Sequence, residues 1–478
     1  MKKYYITTPI YYVNDVPHIG HAYTTIAADV LARHYRKKLG AENVRFMTGT
    51  DEHGKKNTEA AEKAGLEPQA FVDEQAEKFE EIWTNLNISY DVFARTTNPD
   101  HYASVSRFMQ TLYEKGDIYE GNYKGLYCVG CEKFLTEKEL VDGKCPDHRT
   151  VPQAFEEKNY FFRLTKYLDD VRKLIETGEL LVEPASRKSE VLGLFKQGLE
   201  DFSVSRESVA WGVPVPWDEK QTVYVWVEAL QNYTSFAGFG LRDEEFEKWW
   251  PADLHLMAKD ILKFHAVYWP ALLAAAGLKL PKRIFAHGFF TVNGQKMSKT
   301  LGNVINPTDM IEQFGVDATR YLLLTQFPFG QDGDIQASRF VEKYNADLAG
   351  GLGNLVSRIT SMVVRYTAGA VKDRRITREY NLGELEQGIQ NLQFSEVLES
   401  VWAMIAETNR KINDHEPWKL AEAGKMKDVE KVLAEAVLRL RDIGTILESF
   451  MPDTSEAILT ALADLEKITK PENLFDRK

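Results

Sequence analysis

Cysteine is scarce in this 478-residue chain: there are three, all within the stretch from Cys128 to Cys145. An odd count leaves no complete disulfide set, which argues against the stapled scaffold of a small secreted domain. A secretory leader is not expected either, because Met1-Lys2-Lys3-Tyr4-Tyr5-Ile6 runs straight into a strand pattern. The most conspicuous apolar run, residues 267–278, falls short of the ~20 residues that a membrane span requires. Positive charge is in deficit, with 59 Lys and Arg against 71 Asp and Glu and a net charge of −12. That balance excludes a generally basic coat for nucleic acid, so any such contact rests on local patches. Repeats and low-complexity tracts are missing too. The expectation is a soluble, cytoplasmic chain that engages neither membrane nor DNA.

Its content is that of a globular protein, 44% hydrophobic and 27% charged, long enough for two or three domains. Residues 1–115 alternate strand-like and helix-like patterns: a strand at 4–13, a helix from Gly20 to Lys38, a strand at 44–48 and a helix from Pro68 to Leu86. Such alternation implies a parallel sheet with crossover helices, hence an α/β fold. Residues 116–222 interrupt it as an inserted module, and 223–337 resume it through strands at 223–227, 254–257 and 283–286 and a helix at 261–275. From 338 to 478 the pattern is helical, a bundle.

The inserted module holds Cys128, Cys131, Cys145 and His148 in the spacing Cys-x2-Cys-x13-Cys-x2-His. Two soft-ligand pairs separated by a loop can close a tetrahedral Zn²⁺ site, with Gly130, Gly143 and Pro146 supplying turns. Four protein ligands leave no open position, so the predicted metal is structural.

Two short motifs carry the chemistry. His18-Ile19-Gly20-His21 follows the first strand and opens a helix, where free N–H groups and the helix dipole stabilise anionic oxygens and imidazole donors add to them. Gly20 lets a flat base or a phosphate approach the backbone. Far downstream, Lys296-Met297-Ser298-Lys299 follows Asn293-Gly294, a hairpin-turn signal, so its lysines are placed on or beyond an exposed turn from which they can reach a triphosphate. Together they describe a site for ATP phosphates.

On these motifs the chain resembles the class I aminoacyl-tRNA synthetases, with Thr300 standing where that family usually ends its second signature in Ser. The segments Thr8-Pro9-Ile10-Tyr11-Tyr12-Val13-Asn14, Thr48-Gly49-Thr50-Asp51-Glu52-His53-Gly54, Val225-Trp226-Val227-Glu228-Ala229-Leu230 and His287-Gly288-Phe289-Phe290 resemble its methionyl members. The resemblance implies a Rossmann-like parallel-sheet catalytic domain split by the zinc insertion, followed by an α-helical anticodon-binding bundle. It also implies adenylyl transfer: methionine is activated by ATP, with Mg²⁺ on the phosphates, then passed to the 3′-terminal ribose of methionine tRNA. His18, Gly20, His21, Lys296 and Lys299 are then the ATP-binding residues, the histidines and lysines being catalytic.

An amino-acid substrate needs a carboxylate for its ammonium, and the resemblance places that role at Asp51. A thioether is soft and polarizable and suits an aromatic pocket, for which the resemblance nominates Ile10, Tyr12, Trp226, Ala229, Leu230, Tyr233 and His287. Glu228 stands where many relatives have Asp. In the helical region Asn354, Arg358 and Trp418 resemble the family's reader of the CAU anticodon, with Arg and Asn bonding base edges and Trp offering a stacking plane. A small-molecule adenylylating enzyme shares the phosphate motifs; the helical domain argues against it.

Overall fold

The computed structural model describes residues 2–135, 137–146, 149–297, 303–371 and 381–478. Two compact units emerge, one comprising Met1–Pro17, Leu39–Trp83 and Ser89–His287, the other His18–Lys38, Thr84–Ile88 and Gly288–Lys478.

The first unit is built on a six-stranded sheet in the spatial order Val92–Arg95, Val44–Asp51, Tyr4–Tyr12, Leu254–Ala258, Arg283–His287, Leu181–Glu183. Every pairing within it is parallel. Strand Tyr4–Tyr12 is central and almost wholly buried, as expected of an apolar strand covered on both faces. Pro9 interrupts its ladder, having no N–H to donate, and the register with the neighbouring strand shifts between Thr7 and Ile10. Beyond the shift Tyr12 pairs with Asp51, which sets both at the C-terminal edge of the sheet, where open α/β sheets bind ligands. Gly49 permits the close approach of the next strand: a Cβ there would lie 1.9 Å from the Ala94 carbonyl oxygen.

Most predicted elements of this unit are present within a few residues of their expected ends, and one differs in kind. The run Val223–Val227 is not a strand: the strand is Asp218–Val223, the chain turns at Tyr224, and Val225–Leu230 is helical. A short β-branched apolar run has no period to distinguish the two, and burial of Val225, Val227, Ala229 and Leu230 decides for the helix. Strand Leu181–Glu183, assigned by its sequence to the inserted module, joins the edge of the main sheet. Elsewhere in that module Ile118–Cys128, Lys133–Leu135, Gln153–Phe162 and Phe202–Ser203 form an antiparallel sheet, accompanied by helices Leu168–Thr177 and Ala185–Lys196 and a second small sheet of Ser205–Arg206, Pro214–Val215 and Asp218–Val223.

The second unit contains helix Ile19–Leu39, a small sheet and the helical C-terminal region. Asn293 and Gly294 both take positive φ, 52° and 73°, and join Phe290–Val292 to Gln295–Lys296 as an antiparallel hairpin, the turn that Asn-Gly predicts. The helical region opens at Arg339–Lys343 and continues through a wide π-wound segment, Tyr344–Gly353, into Asn354–Thr367. Long helices Phe394–His415 and Met426–Leu447 pack beside it. Among the described residues no helix is long and apolar enough to cross a membrane.

Candidate active site

Helix Ile19–Leu39 begins with no acidic residue in its first turn, where the positive end of a helix dipole favours an anion. The backbone N–H of Gly20 donates to His18 Nδ1 at 3.0 Å, and that of His18 donates to His21 Nδ1 at 3.2 Å. The two imidazoles stack at a centroid distance of 3.9 Å. Because each Nδ1 accepts, the neutral rings carry their protons on Nε2. A Cβ on Gly20 would collide with His18 Cε1 at 2.7 Å and lie 3.6 Å from Met297 Cε. The two phosphate motifs, 276 residues apart from Gly20 to Lys296 in the sequence, are thus neighbours within the second unit. Lys296 ends the hairpin opposite Thr291; Lys299, Ser298 and Thr300 lie outside the described residues.

In the first unit Asp51 ends its strand buried, with Oδ1 lacking a hydrogen-bond partner. Burial first, then the carboxylates of Glu228, Glu132 and Glu52, raise its pKa well above the usual carboxylate range, opposed by a backbone hydrogen bond from His53. The loop that follows is tightly held. Asn57 Nδ2 donates to the carbonyls of Asp51 and His53, each at 3.0 Å. Glu52 Oε1 accepts from Thr50 Oγ1 and from Arg95 Nε, both at 2.7 Å.

Of the apolar candidates, Tyr12 and Trp226 meet directly. Trp226 stacks on Phe264 at 4.1 Å and receives the edge of Tyr12 at 6.0 Å. Ala229 and Leu230 follow one turn later on the short helix and are buried, while Ile10 is partly buried in the strand. The Tyr233 hydroxyl lies 2.8 Å from His265 Nε2. His265, which no sequence motif singled out, is thus the imidazole paired with Tyr233; His287 ends its own strand opposite Ala258. Phe264 and His265 fall in a π-wound stretch, Phe264–Tyr268, inside the helical segment, a winding often found at functional sites.

Glu228 answers to two histidines. Its Oε1 lies 2.6 Å from His101 Nε2 and its Oε2 3.3 Å from His53 Nδ1, with all three side chains buried. Burial opposes its ionisation, but the imidazoles prevail and lower its pKa to about 2.

The sulfurs of Cys128, Cys131 and Cys145 lie within 4.8 Å of one another, and those of Cys131 and Cys145 are 3.5 Å apart with no disulfide formed. Three convergent soft donors fit a tetrahedral thiophilic ion; His148, the fourth expected ligand, lies outside the described residues. This knuckle is bolted to the apolar pocket, for Trp226 Nε1 donates to the Cys131 carbonyl at 3.1 Å and the Tyr224 hydroxyl to the Glu132 carbonyl at 2.6 Å. Glu132 itself had no sequence signal; burial raises its pKa to about 7 against the pull of Lys56 and Arg206.

In the helical region Arg358 stands 5.4 Å from the ring centre of Trp418 and donates to Asn413 Oδ1 at 2.6 Å. Asn354 is exposed one helical turn before Arg358.

The family model for class I tRNA synthetases of the methionine type matches residues 4–154 and 148–360. Among curated relatives, the methionine–tRNA ligase of Thermotoga maritima is 44% identical, the alignment covering 98% of this chain and 76% of that protein. That of Thermosynechococcus vestitus is 46% identical over 95% and 88%. The solved structure of Mycobacterium tuberculosis methionyl-tRNA synthetase in complex with methionyl-adenylate superposes with a TM-score of 0.92 at 40% identity, covering 97% of this chain and 94% of that one. The chain belongs to the methionine–tRNA ligases, within the class I tRNA synthetase family.

Proposed function

We propose that the chain activates L-methionine with ATP, giving methionyl-adenylate and pyrophosphate, and transfers the methionyl group to the 3′-terminal ribose of elongator and initiator methionine tRNA. The observation that carries this reading is the stacked His18–His21 pair at a helix start with no acidic residue in its first turn, with Met297 of the second motif beside Gly20. In adenylation the methionine carboxylate attacks the α-phosphorus of ATP and pyrophosphate leaves. Such a displacement needs positioning and charge neutralisation more than covalent help. His18 and His21 direct Nε2 donors to the phosphates, Gly20 admits the nucleotide, and Lys296 and Lys299 close on the developing charge. Mg²⁺ bound with ATP would neutralise phosphate charge.

Asp51 receives the α-ammonium of methionine: its Oδ1 is buried without a partner, a costly arrangement that a cationic ligand relieves. Ile10, Tyr12, Trp226, Ala229, Leu230 and Tyr233 enclose the thioether, with His287 assigned to that set by resemblance. Cys128, Cys131, Cys145 and His148 would hold a Zn²⁺ whose contribution is structural. Asn354, Arg358 and Trp418 read the CAU anticodon; the cation over the indole face supports it, since unstacked bases are bound by such planes and donors. By this division residues 1–115 and 223–337 form the catalytic domain, 116–222 the insertion and 338–478 the anticodon-binding domain. Charging of purified methionine tRNA with methionine tests the whole reading. Loss of charging on a tRNA with an altered anticodon is the expected companion result, and equal charging of both would contradict the anticodon assignment.

A further inference from the structure

The ammonium site and the thioether pocket come from distant stretches of sequence: Asp51 ends one strand, and Trp226, Ala229 and Leu230 lie on the helix Val225–Leu230. Glu228 belongs to that same helix and reaches the loop that follows Asp51, meeting His53 Nδ1 at 3.3 Å. We propose that Glu228 is a positioning residue that fixes the spacing between Asp51 and the apolar pocket, and thereby sets affinity for methionine; this rests on the reading of the site as a methionine site.

The contacts around the carboxylate leave little freedom. An ionised Glu accepts only, so the His101 nitrogen that hydrogen-bonds Glu228 carries hydrogen, while His53 Nδ1 faces the other carboxylate oxygen at ion-pair range. His101 Nε2 lies 2.6 Å from Oε1, and its Nδ1 lies 2.7 Å from Ser235 Oγ. Across the network His53 Nε2 meets the Tyr102 hydroxyl at 2.8 Å, and its ring is packed edge-on by Trp211 at 5.4 Å. His53 therefore cannot move without breaking its hydrogen bond with Tyr102 and its buried approach to the Glu228 carboxylate. Its position passes to Asp51 through Asn57, whose single amide nitrogen bonds the carbonyls of both residues. A ligand that spans Asp51 and Trp226 feels the distance between them; Tyr12, paired with Asp51, packs on Trp226, and Glu228 adds a polar link between the two elements through His53. The Glu228 side chain is long enough to set one carboxylate oxygen near each imidazole.

The test is methionine-dependent ATP–pyrophosphate exchange by Glu228→Gln, which keeps the volume and one acceptor but removes the charge. Its KM for methionine is expected to rise about tenfold, the scale of one lost buried charged contact, while KM for ATP stays unchanged and kcat changes much less. Glu228→Asp, which keeps the charge but is one methylene too short to reach both imidazoles, should recover only part of the affinity. His53→Gln should show the same methionine-selective rise, and the double variant should be no worse than the weaker single one, because both act through one contact. An unchanged methionine KM in both single variants, an equal rise for methionine and ATP, or an Asp variant no better than the Gln variant would each overturn the proposal. Absence of methionine-dependent exchange in the unmodified protein would instead overturn the underlying reading.

Discussion

Arg320 Nη2 lies 2.7 Å from Asp29 Oδ2, and neither side chain has any solvent exposure. Asp29 is on the helix that begins with the histidine motif, and the same Oδ2 also accepts from Arg33 Nε at 2.7 Å. The remaining donors of Arg320 reach the carbonyls of Phe450, Leu86 and Ser449. One guanidinium thus ties the helix that begins with the histidine motif to the turn between helices Met426–Leu447 and Pro452–Ala461. Breaking a buried pair from one side leaves charge and carbonyls unpaired, at a cost of about 3–5 kcal/mol. Arg320→Leu is therefore expected to lower the urea midpoint strongly, and Asp29→Asn less, because Arg320 keeps its carbonyl acceptors. Equal midpoints for Arg320→Leu and the unmodified protein would show that the pair is not a structural tie.

Asp51 provides a pH test. Its carboxyl is raised well above the usual range by burial, then by Glu228, Glu132 and Glu52, so the folded protein holds that proton more tightly than the unfolded chain. The sign follows: as pH rises from the ordinary carboxylate range through the raised value, ionisation of Asp51 costs stability, and a bound ammonium offsets that cost. Saturating methionine is expected to raise the thermal midpoint more at neutral than at mildly acidic pH, with KM for methionine climbing as pH falls and KM for ATP following less. A methionine-induced shift that does not vary with pH would remove Asp51 as the ammonium partner.

Metal analysis addresses the knuckle. Protein purified without chelators should contain about one zinc per chain, and Cys145→Ser should lose it. Because the Cys131 carbonyl accepts from Trp226 Nε1, metal loss should also weaken methionine binding. Metal-free protein with unaltered methionine KM would separate the knuckle from the pocket.

Trp418 distinguishes a tRNA ligase from a small-molecule ligase. Trp418→Ala removes the plane that Arg358 covers, and loss of base stacking costs on the order of 1–3 kcal/mol per base. Methionine-dependent pyrophosphate exchange should survive nearly intact while aminoacylation falls through a raised KM for tRNA. Parallel loss of both half-reactions would make Trp418 scaffold.

Much of this was legible in the residues, and the misses have physical causes. The parallel sheet follows from alternation of apolar strands with amphipathic helices, the 293–294 hairpin from residues that tolerate positive φ, and the cysteine cluster from spacing. The helix at Val225–Leu230 was illegible because six apolar-rich residues carry no decisive period, and its burial is settled by neighbours distant in sequence. His265, Glu132 and His101 gave no local signal, since their surroundings are assembled by the sheet from separate segments. Glu228 was visible only as an unusual length; its two imidazole partners, 175 and 127 residues away, could not be read from its own segment.

The central claim, that this site activates methionine, is tested most directly by ATP–pyrophosphate exchange measured for each amino acid in the absence of tRNA. Methionine alone should support strong exchange, and Asp51→Ala should abolish its advantage by weakening methionine binding far more than ATP binding. Stronger exchange with leucine or cysteine, or none with methionine, would contradict the account.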